Sequence, residues 1–335
     1  MTTVAVVGAT GAVGRTMISI LDQRDFPADR IRLAASPRSA GRQMQTRFGS
    51  VEVEDLATMD PTGIDIALFS AGGARSREHA SRFAGAGAVV IDNSSAFRMA
   101  DDVPLVVAGV NDAAAEDHSG IIANPNCTTM TLMMAAGPLH EAAGLRSVVA
   151  TSYQSVSGSG QQGVDELLGQ QVLLGADVQA LMTGGWVDPG PGLYERPIAY
   201  NVLPYAGNLI DGGYTDEEMK LVNESRKILS HPNLAVEPTC VRVPVLVGHG
   251  VAATMHFDRP LTADEALSIL GSATGVELWK DRTPTPLDSA GIDEVLVGRV
   301  RDTVSTPGGI NLWVVGDNLR KGAALNAVQI AELLV

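Results

Sequence analysis

The chain has 335 residues, 45% of them hydrophobic and 19% charged, with a net charge of −14, an ordinary globular composition long enough for two domains. The negative balance excludes nucleic acid and anionic membrane as partners, and any bound phosphate needs its own local cations. Two cysteines exclude a disulfide framework and fit a reducing, cytoplasmic compartment, while the apolar stretch at residues 4–7 stops at Gly8, too soon for a signal peptide or a membrane span.

Residues 4–7, 31–35, 64–69, 88–92 and 105–108 read as short buried strands, and residues 11–21 and 74–86 as helices between them. This alternation predicts a parallel sheet with helices on its faces. The first strand runs into Gly8-Ala9-Thr10-Gly11-Ala12-Val13-Gly14, a G-x-x-G-x-x-G spacing at the first strand-to-helix turn. Glycines there let the backbone approach a pyrophosphate, which the helix N-terminus then binds. The second strand ends in Ser36-Pro37-Arg38-Ser39, with no acid for a ribose hydroxyl. Two hydroxyls and an arginine suit a 2′-phosphate, and so NADP rather than NAD.

Next comes Asn124-Pro125-Asn126-Cys127-Thr128-Thr129, then a helical pattern over residues 129–143. A thiol at a helix start, where unpaired N–H groups favour an anion, is a candidate nucleophile. Met130, Met133 and Met134 on that helix read as core.

Beyond it, residues 147–154, 239–247, 251–257 and 294–300 have strand chemistry, and helices are expected over 160–175, 215–229 and 262–271. Two of these helices open with capping boxes, Thr215 with Glu218 and Thr262 with Glu265. Strands and helices alternate less strictly, which predicts an α+β domain. Residues 182–207 read as a long loop, 311–315 as a strand and 319–334 as a last helix. Within this half, His249 stands between Gly248 and Gly250, placed by this pattern at the end of a strand and exposed, fit for acid–base work or simply a turn. Arg242 interrupts an apolar run and must pair with a carboxylate, from substrate or from the protein. Strict parity along one strand would put Arg242 and His249 on opposite faces. Residues 152–160 form a strand, then a polar glycine-containing loop that could approach a flat ring or simply cap a helix. No metal-ligand spacing, Walker loop or G-x-S-x-G elbow occurs.

In their order along the chain, the glycine turn at 8–14, Ser36 to Gly41, the Asn-Cys-Thr block, Gln154 with Ser157-Gly158, Arg242, Gly248-His249 and Gly316-Asp317-Asn318-Leu319-Arg320-Lys321-Gly322 resemble the aspartate-semialdehyde dehydrogenases. The resemblance implies a Rossmann-type NADP-binding domain over residues 1–127, with a C-terminal helix within 316–335 packing back on it. A catalytic and dimerisation domain would span 128–315. It implies NADP- and phosphate-dependent interconversion of aspartate 4-semialdehyde and 4-aspartyl phosphate. Cys127 would be the nucleophile, His249 the acid–base, and Gln154 the positioning residue. Arg242 and Glu217 would bind the substrate carboxylate and ammonium, and Arg98, Lys220 and Asn126 the phosphate. Gly8, Thr10, Gly11, Ala12, Val13, Ser36, Arg38, Ser39, Ser157, Gly158 and Asn318 would contact the cofactor. A homodimer or homotetramer is implied, and no metal. N-acetyl-glutamyl-phosphate reductase and a non-catalytic NADP-binding relative share the architecture. Glu217 disfavours the first, because a blocked amine needs no carboxylate, and Cys127 with Arg242 and His249 disfavours the second.

Overall fold

A computed structural model describes residues 1–335. The first part carries β1 (Thr3–Val7), α1 (Ala12–Gln23), β2 (Arg30–Ala35), β3 (Gln43–Thr46), β4 (Gly49–Asp55), β5 (Ile66–Phe69), α2 (Gly73–Gly85), β6 (Val89–Asp92) and β7 (Ile121–Ala123). They form one seven-stranded sheet in the order β3-β4-β2-β1-β5-β6-β7. Every pairing is parallel except β3 with β4. That hairpin was not legible, because an edge pair rich in Gln, Thr and Glu carries no buried run.

The order reverses beside β1, between β2 and β5, which is where open α/β sheets bind ligands. Gly8, at φ +88°, sits at this crevice; a Cβ there would lie 2.2 Å from the carbonyl oxygen of Ser70. A Cβ on Gly14 would lie 2.2 Å from the carbonyl oxygen of Gly8, so α1 can start this close to the strand only with glycine.

The expected strand at 105–108 is absent. Leu105 makes a lone bridge to Ala123, and the seventh strand is the run before Cys127. Side chains take the place of a ladder: Asn111 accepts from Val107 N–H, while Asn326 accepts from Ala108 N–H and donates to the Val106 carbonyl.

The remainder comprises α3 (Cys127–Ala143), β8 (Leu145–Gln154), α4 (Gln161–Gly175), α5 (Val178–Thr183), α6 (Asp216–Ile228), β9 (Ala235–Arg242), β10 (His249–Phe257), α7 (Ala263–Gly271), β11 (Val276–Trp279), α8 (Pro286–Ser289), β12 (Val295–Asp302), β13 (Ile310–Gly316) and α9 (Leu325–Glu332). The strands form a mixed six-stranded sheet, β11-β12-β13-β10-β8-β9. β9 ends at Arg242, not at 247 as its apolar run suggested; as an edge strand it tolerates Pro238. Met130, Met133 and Met134 of α3 lie in the core that α3 builds with β8, β10 and β13.

The last helix is broken by a π-helical turn, Arg320–Ala324, after β13. α9 then buries Leu325, Val328 and Ile330 with Val4, Val6, Met17 and Ile20, in the core of the first sheet. No helix is long and apolar enough to cross a membrane.

Candidate active site

Cys127 is the first residue of α3, directly after the turn that leaves β7. Asn126 caps the helix: its Oδ1 accepts from the N–H groups of Thr128 and Thr129 at 2.9 and 3.2 Å. Behind the thiol runs the C-terminal π turn, where a Cβ on Gly322 would lie 3.0 Å from Cys127 Cβ.

The second sheet brings one row of side chains together at this end, of which Gln154 and Arg242 share a cleft with Cys127. His249 opens β10 opposite Gln154, the last residue of β8, and Gln154 stands opposite Arg242, the last of β9. Arg242 and His249 therefore sit on different strands, either side of Gln154, and counting parity along one strand did not apply. All three are buried, His249 wholly, which corrects the expectation of an exposed turn histidine.

Cys127, Gln154, Arg242, Asn126, Arg98, Glu217 and Lys220 line one cleft of about 430 Å³. Gly158 lies across its wall. A Cβ at that position would be 2.9 Å from Arg242 Nη1 and 3.2 Å from His249 Nε2, so glycine is what lets the loop cover both. Two buried polar atoms of this row have no partner, Arg242 Nε and His249 Nε2. Native interiors rarely leave such atoms unpaired, and here they mark where a ligand belongs.

The electrostatics differ from what a helix start alone suggests. Burial, with Glu217 adding, pushes the Cys127 thiol up to about 11, against the pull of Arg242, Arg98 and Thr128. At neutral pH the sulfur therefore keeps its proton. Burial, then Arg242, pushes His249 down to about 3, so its imidazole is neutral. Ser155 donates its N–H to Nδ1 at 3.1 Å, which leaves the ring proton on Nε2. Burial would raise Glu217, but Lys220 and Asn126 Nδ2 together hold its carboxyl below the usual range. Lys220 is kept above its ordinary value, burial being outweighed by Glu217 and Asp216.

Two expected contacts are already engaged within the protein. Arg98 donates to the Asn124 and Asn93 carbonyls and to Glu224 Oε1 at 2.9, 3.0 and 3.0 Å, while still lining the cleft. Asn318 accepts at Oδ1 from Gly248 N–H and from the hydroxyls of Ser155 and Ser157. It ties together the loops around His249. At the first sheet, Gly11, Ala12 and Val13 open α1 beyond Gly8, and Thr10 Oγ1 lies 3.3 Å from Ser39 Oγ, with Ser36 beside them and Arg38 exposed. Gly8 and Gly14, which no side chain could replace, let α1 start close against the first sheet, the arrangement in which a helix N-terminus can take a phosphate.

Sequence reasoning missed Glu224 and Lys227. With Glu217 and Lys220 they recur at i, i+3, i+7 and i+10 along α6, a charged stripe facing inward; that spacing was the available signal. It also missed the loop segments Leu193-Tyr194-Glu195 and Leu203 to Asn208, which close one side of the cleft. Nothing in a polar aperiodic loop announces that.

Residues 3–118 match the family model for the semialdehyde dehydrogenase NAD binding domain, and residues 137–321 the model for the semialdehyde dehydrogenase dimerisation domain. An aspartate-semialdehyde dehydrogenase of Corynebacterium glutamicum is 55% identical over the whole of both chains. One from Streptomyces akiyoshiensis is 55% identical over 99% of this chain and 98% of its own. The structure superposes with a TM-score of 0.93 on aspartate semialdehyde dehydrogenase II of Vibrio cholerae complexed with ASA, at 45% identity, covering 100% of this chain and 98% of that one. Full-length identity, both domain models and the shared architecture agree: the chain belongs to the aspartate-semialdehyde dehydrogenase family.

Proposed function

We propose that the chain catalyses the NADP-dependent, reversible interconversion of L-4-aspartyl phosphate and L-aspartate 4-semialdehyde plus phosphate, through a thioester on Cys127. This is the step its relatives' name implies in the biosynthesis of lysine, threonine, methionine and diaminopimelate. The observation that carries the assignment is the row Arg242–Gln154–His249, of which Arg242 and Gln154 share the cleft of the helix-capped Cys127, with Arg242 Nε and His249 Nε2 buried and unpartnered.

Arg242 and Glu217 supply opposite charges in one cleft, which fits an α-carboxylate and a free α-ammonium. Gln154 holds the chain between them. In the reducing direction Cys127 Sγ bonds to the acyl carbon, the C–O bond to phosphate breaks, and the thiol proton leaves with the phosphate. NADPH, when bound, would supply the hydride to the acyl carbon. His249 hydrogen-bonds through Nε2–H to the oxygen on which charge then develops; as the C=O re-forms the C–S bond breaks, the aldehyde is freed, and Sγ leaves as a thiolate that takes a proton from solvent to restore the thiol. The oxidising direction retraces these steps.

Arg98 and Lys220, with Asn126, give the phosphate its local cations in an acidic protein. Gly8, Thr10, Gly11, Ala12 and Val13 would take the pyrophosphate, Ser36, Arg38 and Ser39 the 2′-phosphate, and Ser157 and Gly158 the nicotinamide side. Residues 1–127 with the returning 316–335 segment make the nucleotide part, and 128–315 the catalytic and dimerisation part.

The test is phosphate-dependent NADP reduction with aspartate semialdehyde. Cys127→Ala should abolish turnover while NADP binding persists; full activity in that variant would sink the assignment.

A further inference from the structure

The stripe on α6 continues one and two turns past the groups assigned to substrate and phosphate. Glu224 is almost wholly buried, at 1% exposure, and among the carboxylates only Asp92, at 0%, is more so. Both of its oxygens are used. Oε1 accepts from Arg98 Nη1 at 3.0 Å, and Oε2 accepts from the backbone N–H of Asn126 at 2.6 Å. Asn126 is the cap of the helix that begins with Cys127. Three residues on, Lys227 Nζ donates to the carbonyls of Arg98, Ala100 and Val103, pinning the segment that carries the arginine. A lone buried carboxylate is costly, and it persists only where its partners fix it. Nothing in the chemistry above uses it.

We infer that Glu224 is a positioning residue, one carboxylate that sets both the Arg98 guanidinium and the turn presenting Cys127. It rests on the assignment of Arg98 to phosphate. It goes beyond that assignment in making phosphate affinity depend on a group that does not touch phosphate. Arg98 has one planar fork, and the edge committed to Glu224 decides which N–H groups remain for the ligand. An amide at 224 keeps the shape, yet it has one acceptor oxygen for two donors. Either Arg98 or Asn126 is then turned away.

The measurement is steady-state kinetics of semialdehyde oxidation with phosphate varied. Glu224→Gln should raise the phosphate KM by about tenfold or more and lower kcat, with the KM for NADP unchanged. Added to Arg98→Lys, which raises the phosphate KM itself, it should raise that KM by clearly less than it does alone. A phosphate KM within about twofold of the parent overturns the inference. If Glu224→Gln does not fold, Glu224→Asp, which keeps the charge and shortens the reach, is read the same way. Failure of both to fold assigns Glu224 to stability alone and also overturns it. Parent enzyme without phosphate-dependent NADP reduction removes the functional assignment itself; active parent enzyme with an unmoved variant removes only the role of Glu224.

Discussion

At the scale of single residues, the site turns on groups whose properties their surroundings reverse. Cys127 at a helix start suggests a thiolate, yet burial and Glu217 hold the thiol up to about 11. Alkylation by iodoacetamide in the absence of ligands should therefore be slow at pH 7. Because the folded thiol keeps its proton above the ordinary value of 9, the rate should go on rising toward about pH 11; a plateau below pH 9 would contradict this. Gly158 is legible as a loop glycine, but only the packing shows that a Cβ there meets Arg242 and His249. Gly158→Ala should lower kcat by about 10- to 100-fold through displacement of these two side chains, with little change in the unfolding midpoint. Cys127, Arg242 and His249 could each be picked out as residue types. Their burial, tautomer and partners could not, because these are set by chain segments far away in sequence.

At the scale of elements, local signals were reliable where local chemistry decides. Both capping boxes form as read: Thr215 N–H donates to Glu218 and Glu218 N–H to Thr215 Oγ1, and Thr262 pairs with Glu265 in the same way. Glu218 also accepts from Cys240 N–H, fastening α6 to β9. Thr215→Ala should cost about 1 kcal/mol in urea unfolding, and it should weaken substrate binding too, since α6 carries Glu217 and Lys220. Local signals failed where remote side chains intervene. Residues 105–108 look like a strand, but Asn111 and Asn326 take their backbone groups. The run 239–247 looks like one strand, but β9 stops at Arg242 and the chain turns through Gly248, at φ +95°.

At the scale of the whole molecule, one face of the second sheet has no cover within the chain. β8 turns Val149 and Tyr153 outward, and the Tyr153 ring packs against Trp313 of β13, tilted by 57° with the centroids 5.6 Å apart. Val172, Leu173, Met182, Val187 and Tyr200 are exposed on α4, α5 and the loop after them. Such an apolar surface fits the dimerisation domain that this half matches. Val149→Lys combined with Tyr153→Glu should shift sedimentation from a dimer to a monomer; an unchanged species would place the interface elsewhere. The sequence by itself determined the glycine turn after β1, the Asn-Cys-Thr block at the start of a helix, the capping boxes and the family, because these depend on neighbouring residues or on motif order. Only the tertiary structure decided that Arg242, Gln154 and His249 form one row, that Glu224 joins Arg98 to the cap of Cys127, and that the C-terminal turn packs behind the thiol. Those are contacts between segments up to about two hundred residues apart, and strand register and burial, not local propensity, bring them together.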